Sequence, residues 1–349
     1  MKAARLFGAK DLRVVDVPEP ESPGAGDILI KVKAVGICGS DLHMYENGRI
    51  GYTDQSDVFT LGHEFMGEVV AVGEGALDGH FEPLQVGQRV AVDPCTPCYE
   101  CEMCEQGHPN LCLHHTFYGL FPEDGALQEC MIVHGRNCFP IPDSISDGGG
   151  TLLETLGVAI HTVDLAKLKV AKSLAIIGCG PVGLLILGLA KKAGAYPIYA
   201  FDKFDWRLEK AREWGADEVF NVDQVDGVQA LMDATNGRGC DTVIEAAWAD
   251  HSIQMAAEMA AYGGRLVLVG IPGDDQLHMQ HAVARRKGLT IMMCRRMKHT
   301  YPRAIAIATT GMVNIDELIS HHFPLEDTPE AFAKNFNYDQ GVHKIIIDV

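Results

Sequence analysis

The sequence predicts a two-domain α/β protein, in which a doubly wound domain with a parallel sheet is inserted into a β-rich domain. Three observations lead there. At 349 residues the chain exceeds the ~250–300 at which a single core stops growing. Near Ser146-Asp147-Gly148-Gly149-Gly150 its texture changes from short β-rich runs to longer alternating strand and helix patterns. Within the second texture lies a glycine loop, Gly178-Cys179-Gly180-Pro181-Val182-Gly183, between an apolar strand and an apolar helix.

Taken in order, residues 28–35, 67–72 and 89–92 read as strands, with Gly and Pro marking the turns between them. Residues 152–170 read as a helix. Residues 174–177 form a fully apolar strand, followed by a helical run over 182–193, a strand over 196–201 and a helix over 207–214. Residues 241–245 and 265–269 are further strands. After about Ile291 the pattern turns irregular, and 344–347 is again strand-like. The predicted division is residues 1–151 with 293–349 as one domain and 152–292 as the other, because strand–helix alternation implies a parallel sheet covered on both faces.

Composition narrows the function classes. Hydrophobic residues make up 47% and charged residues 22%, the balance of a globular protein, and no repeat is visible. A net charge of −18 disfavours nucleic-acid binding, which needs basic surface to neutralise phosphates. No uncharged run reaches the ~18 residues of a membrane span, and the start lacks the apolar core of a signal segment. The expectation is a cytoplasmic protein that binds neither nucleic acid nor membrane.

The glycine loop is suited to a dinucleotide. Glycines let the backbone turn tightly and approach a pyrophosphate, which then sits on the following helix N-terminus. Gly178, Gly180, Pro181, Val182 and Gly183 are therefore expected cofactor contacts. Asp202 ends the next strand, 19 residues after Gly183, where a carboxylate can accept from both ribose hydroxyls and repel a 2′-phosphate. That favours NAD over NADP, although Lys203 and Arg207 lie close by and a cation can tolerate a phosphate. Val269 is expected to offer backbone contact to the nicotinamide half.

Of eleven cysteines, five lie between Cys95 and Cys112. A chain of this size needs no disulfide staples, so clustered thiols read as metal ligands. Cys98, Cys101, Cys104 and Cys112 have the spacing of a tetrahedral zinc site, which arises by chance on the order of 3 × 10⁻⁴ times per chain. Four thiolates leave no open position, so this zinc is structural, and Cys95 is a spare. A second, dispersed set comprises Cys38, His63, Glu64 and Glu154. With fewer strong ligands it can keep a position open for chemistry, but spacing alone carries it only weakly.

These residues fall into a known arrangement. Gly36-Ile37-Cys38-Gly39-Ser40-Asp41-Leu42-His43, Gly48-Arg49-Ile50-Gly51, Gly62-His63-Glu64, the four-cysteine lobe, Glu154, the glycine loop with Asp202, and Arg295 before Thr300-Tyr301-Pro302 are collinear nearly end to end. In this the chain resembles the medium-chain dehydrogenase/reductase superfamily, and within it the sorbitol (polyol) dehydrogenase group. The resemblance implies a GroES-like catalytic domain and a Rossmann cofactor domain. It implies two zincs per chain, one catalytic on Cys38, His63 and Glu64 with Glu154 reaching it directly or through water, and one structural. Ser40 would hydrogen-bond the substrate oxygen and His43 carry the proton onward. Arg207 is expected near the cofactor and Arg295 near substrate hydroxyls.

The chain departs from the group at three places. Met44 stands where an aromatic residue is common, Arg296 where Tyr is usual after the arginine, and Thr155 where Pro is usual after Glu154. Two of these fall on the substrate side. An inward Arg295-Arg296 pair would suit an anionic substrate, a sugar acid or polyol phosphate, through charge-assisted hydrogen bonds. The expected activity is NAD-linked oxidation of a secondary alcohol to a ketone, on a small-molecule polyol or sugar-derived substrate. The alternatives are threonine-type amino-alcohol oxidation and, from a different class, a non-catalytic NAD- and zinc-binding protein. The resemblance also implies a homo-oligomer, a tetramer or dimer.

Overall fold

In the computed structural model, which describes every residue except 52, 248, 250 and 273–275, the chain forms two compact units. One comprises Met1–Thr155 with Tyr301–Val349, the other Leu156–Thr300. The switch falls inside a single helix, Asp147–Ala166. Gly148, Gly149 and Gly150 mark the change of texture but begin this helix rather than a loop. A Cβ on Gly148 would lie 2.6 Å from the Ile319 side chain and one on Gly150 2.9 Å from Met66, so close packing explains the glycines.

The first unit is built on a mixed sheet. Strands Cys138–Pro140, Arg89–Val92, Glu64–Val72, Asp27–Gly36, Lys344–Asp348 and Ile319–Pro324 follow one another in space, with Cys130–His134 also paired to Asp27–Gly36. The late strand Lys344–Asp348 lies antiparallel to Asp27–Gly36, with Ile346 opposite Gly36. Glu64 also stands opposite Gly36, from the other side. Alternating burial along Asp27–Gly36 reflects its period-2 side-chain pattern, and Ile28, Ile30, Val32 and Ala34 are fully buried.

The second unit holds six parallel strands in the order Glu218–Asn221, Ile198–Asp202, Leu174–Ile177, Cys240–Glu245, Ala260–Leu268, Thr290–Met293. Numbered along the chain this is 3-2-1-4-5-6, whose order reverses between Leu174–Ile177 and Cys240–Glu245, leaving a crevice at the carboxyl ends of those strands. The strand Leu174–Ile177 is buried at all four residues, as expected where helices cover both faces. Helices Pro181–Lys192 and Asp205–Glu213 follow the first two strands, each one or two residues earlier at its start than the sequence pattern indicates. Among the described residues no helix is long and apolar enough to cross a membrane.

Candidate active site

The first metal-ligand set arises from strand register. Because Gly36 faces Glu64 across the sheet, the residues just beyond Gly36 and just before Glu64 meet at one end of the strand pair. Cys38, at the N-cap of helix Gly39–Asn47, thus joins His63 and Glu64, and the ligand atoms of all three lie within 4.8 Å of one another. Gly62 makes the approach possible. Its φ is +97°, and a Cβ there would stand 2.8 Å from Val35. Glu154 is not among these three. It is buried on helix Asp147–Ala166, in the same unit, so the structure gathers the trio without it.

The surroundings orient the trio. Asp41 is 2% exposed and accepts from the Cys38 N–H at 2.9 Å and from His63 Nδ1 at 3.1 Å. This contact assigns the proton to Nδ1 and turns Nε2 toward the site, the arrangement by which a carboxylate fixes a metal-binding imidazole. Ser40 Oγ lies 3.3 Å from Nε2. Burial disfavours charge on the His63 ring, but Asp41 and Cys38 outweigh it and raise its pKa well above the ordinary value. A half-buried thiol with a buried imidazole and two buried carboxylates, Glu64 and Asp41, forms an electronegative cup that fits a borderline-soft divalent cation such as zinc.

Lys344 completes the shell. It is 2% exposed, donates to the Ile37 carbonyl at 3.0 Å and forms an ion pair with Glu64, itself 0% exposed. Burial lowers its pKa and Glu64 and Cys38 raise it, with a net upward shift that keeps the ammonium charged. Gly36 leaves room for this meeting, since a Cβ there would lie 2.6 Å from the Glu64 carboxylate and 3.0 Å from Lys344 Cε. Sequence reasoning assigned no role to Asp41 or Lys344. Asp41 sits three residues past the Cys38 N-cap, a capping-box position that could have flagged it. Lys344 opens the apolar run Lys344-Ile345-Ile346-Ile347, where a charge reads as a solvated strand end.

His43 lies on the same helix as Ser40 and is 6% exposed. A proton carrier is best served by an imidazole with its ordinary pKa of about 6.5. Instead, burial pushes His43 down to about 4, so the ring is neutral near pH 7.

The four-cysteine cluster is tightly closed. The Sγ atoms of Cys98 and Cys112 lie 3.5 Å apart, Cys101 and Cys104 3.6 Å, and Cys101 and Cys112 3.8 Å. A tetrahedron with Zn–S bonds of ~2.3 Å has S···S edges of roughly 3.8 Å, so these thiols match a zinc cage and are far too separated for disulfides. Backbone N–H groups add to the cage: Cys98 N–H donates to Cys112 Sγ at 3.2 Å and Cys101 N–H to Cys98 Sγ at 3.3 Å. Thiols so close titrate apart. Backbone groups of Leu113 and Cys104 pull Cys101 down to about 6, while burial and neighbouring thiols push Cys104 up to about 12. Cys95 is buried in strand Cys95–Thr96 and is not part of the cluster.

In the second unit the glycine loop follows strand Leu174–Ile177. Gly178 has a φ of +95°, and a Cβ on Gly183 would stand 1.9 Å from the Gly178 carbonyl oxygen. Gly180 is the N-cap of helix Pro181–Lys192, with Pro181 at its first turn and Val182 next. Asp202 is 7% exposed and already accepts from the Cys179 N–H at 2.7 Å and the Phe204 N–H at 3.0 Å. Its carboxylate therefore ties the glycine loop to the second strand, and each oxygen retains a lone pair for a ribose hydroxyl. Arg207 reaches back to within 3.8 Å of Asp202. Val269 donates its N–H to the Glu245 carbonyl at 2.8 Å. Arg295 is exposed and Arg296 half-buried at a φ of +55°, both beyond strand Thr290–Met293.

Comparison with known proteins places this geometry. Residues 24–143 match the alcohol dehydrogenase GroES-like domain and residues 181–310 the zinc-binding dehydrogenase domain. The chain is 35% identical over 347 residues to a sorbitol dehydrogenase of Bacillus subtilis, covering 99% of this chain and 97% of that protein. It is 35% identical over 336 residues to an L-threonine 3-dehydrogenase of Pyrococcus abyssi, covering 95% and 93%. The solved galactitol-1-phosphate dehydrogenase of Escherichia coli superposes with a TM-score of 0.89 at 27% identity, over all of this chain and all of that one. With two collinear family matches, a relative similar across its whole length, and two thiol-containing metal-ligand clusters, the chain belongs to the zinc-dependent medium-chain alcohol dehydrogenases, in their polyol dehydrogenase-like branch.

Proposed function

We propose that the chain oxidises a secondary alcohol of a polyol or sugar-derived substrate to a ketone, with NAD as hydride acceptor. The observation that carries this reading is the Cys38, His63 and Glu64 set, whose ligand atoms converge with Ser40 and the Asp41-oriented imidazole beside them. In this reading the unit Met1–Thr155 with Tyr301–Val349 carries the metal chemistry and the unit Leu156–Thr300 the dinucleotide.

Cys38, His63 and Glu64 would hold the catalytic zinc, with Glu154 reaching it directly or through water, and Cys98, Cys101, Cys104 and Cys112 the structural one. A bound zinc supplies Lewis acidity that lowers the pKa of a coordinated alcohol. The residues do the rest. Asp41 holds His63 in one tautomer. Ser40 accepts a hydrogen bond from the substrate hydroxyl and hands its proton toward His43, whose ring, held neutral by burial, passes it on to solvent rather than retaining it. The carbinol carbon gives up a hydride and becomes the carbonyl carbon. Gly178, Gly180, Pro181, Val182 and Gly183 receive the pyrophosphate, Asp202 and Arg207 the adenosine ribose, and Val269 the nicotinamide half.

The half-buried Arg296 and the structural likeness to a galactitol-1-phosphate dehydrogenase support a second substrate reading, an anionic polyol phosphate or sugar acid, while the exposed Arg295 does not supply the inward pair. Oxidation of an amino alcohol of the threonine type is a third. Clustered free thiols support a cytoplasmic, reducing setting. The family resemblance supports a homo-oligomer, a tetramer or dimer, which light scattering distinguishes.

The test is NADH production from a panel of polyols, polyol phosphates, sugar acids and L-threonine, with NADP⁺ and a chelated sample as controls. Chelator-sensitive, NAD-specific turnover of a polyol is the expected result. Turnover of the phosphates alone, lost in Arg296→Tyr, selects the anionic reading. A protein that binds NADH and two zincs but turns over none of the panel overturns the substrate classes proposed here.

A further inference from the structure

Glu245 is a buried carboxylate that none of the chemistry above uses. It ends strand Cys240–Glu245, beside the crevice where the strand order reverses, and is 1% exposed. Its Oε1 accepts from the Ala247 N–H at 2.9 Å and the Ser252 hydroxyl at 2.7 Å. Its backbone carbonyl accepts from the Val269 N–H at 2.8 Å and the Gly270 N–H at 3.2 Å. Burial pushes its pKa up, against the pull of Ser252, Ala247 and Gly270. One residue thus ties together the segment after its own strand, the first turn of helix Ser252–Met259, and the segment after strand Ala260–Leu268.

The packing around it leaves no slack. A Cβ on Gly270 would lie 2.0 Å from the Ala247 oxygen and 2.7 Å from the Glu245 carboxylate, and one on Gly178 would lie 2.6 Å from the Ala246 oxygen. The same helix is held at its far end by Lys287, whose Nζ donates to the Ala257 carbonyl at 3.2 Å, the Ala260 carbonyl at 2.7 Å and the Glu258 carbonyl. An anion at the N-terminus and a cation at the C-terminus both match the helix dipole.

In a sheet of order 3-2-1-4-5-6, a dinucleotide spans the carboxyl edge with its pyrophosphate at the crevice. The glycine loop and Asp202 serve strands one and two. The remaining half of the ligand falls over strands four and five, whose ends Glu245 organises. We infer that Glu245 is a positioning residue of the coenzyme site, fixing the two segments that receive the nicotinamide half. The two halves of the ligand are then served by separate carboxylates, Asp202 for one and Glu245 for the other.

This inference rests on the dinucleotide reading of the unit and is tested by a pair of ligands that separates the halves. ADP-ribose carries the adenosine and pyrophosphate without nicotinamide. Binding of NADH and of ADP-ribose is measured by titration calorimetry on the full zinc-loaded chain, in wild type, Glu245→Gln and Glu245→Ala. The expected result is a rise in the NADH Kd of about tenfold or more for Glu245→Ala, a smaller rise for Glu245→Gln, and an ADP-ribose Kd within about twofold of wild type for both. Equal weakening of both ligands overturns the inference, as does an unchanged NADH Kd. If Glu245→Ala does not fold, the NADH to ADP-ribose ratio of Glu245→Gln decides, and an unchanged ratio refutes. Wild type that binds neither ligand overturns the dinucleotide reading itself.

Discussion

Replacing Lys344 by Met removes a buried ammonium and strands the Glu64 carboxylate, which is 0% exposed. Lys344→Met keeps the length of the aliphatic stem, so packing within the strand Lys344–Asp348 changes little. Breaking one side of a buried ion pair costs about 3–5 kcal/mol. Loss of the hydrogen bond to Ile37 is about 1 kcal/mol of that. For a chain of this size the change corresponds to a drop in Tm of roughly 4–7 °C. A cation held by Cys38, His63 and Glu64 would match the stranded charge, so the loss should be larger in chelated protein than in zinc-loaded protein. The assay is urea unfolding followed by circular dichroism, with the slope checked for constancy between variants. The double variant Glu64→Met/Lys344→Met removes both charges and should recover most of the stability while losing metal from this site. A cost below about 1 kcal/mol in chelated Lys344→Met, or a double variant no more stable than the single, would refute the coupling of these two residues.

Four further outcomes follow from the same geometry. Asp41→Ala should weaken zinc binding at the Cys38 set about 10–100-fold, read by competition with a chromophoric chelator, without loss of the four-cysteine zinc. Cys104→Ser should lower the zinc content from two per chain to one by elemental analysis, and retention of two would show the cluster is not a zinc cage. Gly183→Ala, which places a Cβ 1.9 Å from the Gly178 oxygen, should reduce NADH affinity at least about tenfold, and near-normal binding would mean the loop can relax. His43→Asn should lower kcat by about 10²-fold at pH 7. Because burial holds neutral His43 down to about 4 against 6.5 when unfolded, its contribution to stability is complete above pH 6.5 and disappears as pH falls from 6.5 toward 4. The wild type should therefore lose more stability than His43→Asn between pH 7 and pH 5, and parallel curves would exclude this burial effect.

The parallel sheet was legible because its signals are local. The apolar strand 174–177, the glycine loop and Asp202 each carry their own pattern within a few residues. The thiol cluster was legible for the same reason, since four cysteines fall within fifteen residues of sequence, from Cys98 to Cys112. The Cys38, His63 and Glu64 set was harder. Cys38 and His63 meet through strand register, which the sequence does not display, so residue types and spacing carried the set only weakly until the family resemblance supported it. Lys344 was invisible for a stronger reason: its partner is on a strand hundreds of residues away, and a lysine opening an apolar run is ordinarily solvated. The three glycines at 148–150 lie inside the helix, whose start the sequence pattern put at 152. Glycine in series reads as a loop, whereas here tight packing against Ile319 and Met66 selects it inside a helix. The pKa of His43 depends on burial, a tertiary quantity that residue type cannot announce.

The strand Lys344–Asp348 sits between Asp27–Gly36 and Ile319–Pro324, and its lysine touches Ile37 across 307 residues of sequence. On a ribosome working at roughly 5–20 residues per second, Asp27–Gly36 would wait roughly 15–60 s for that neighbour. Cys130–His134 covers the Asp27–Lys31 part of that edge once it is made, but the Ala34–Gly36 end stays open until Lys344–Asp348 arrives, the kind of surface on which nascent chains mispair and chaperones act. The unit Leu156–Thr300 is continuous and needs no such delay. In the cell, the dinucleotide half is expected to close first, and the metal-site half to depend on a strand translated long after most of its own sheet.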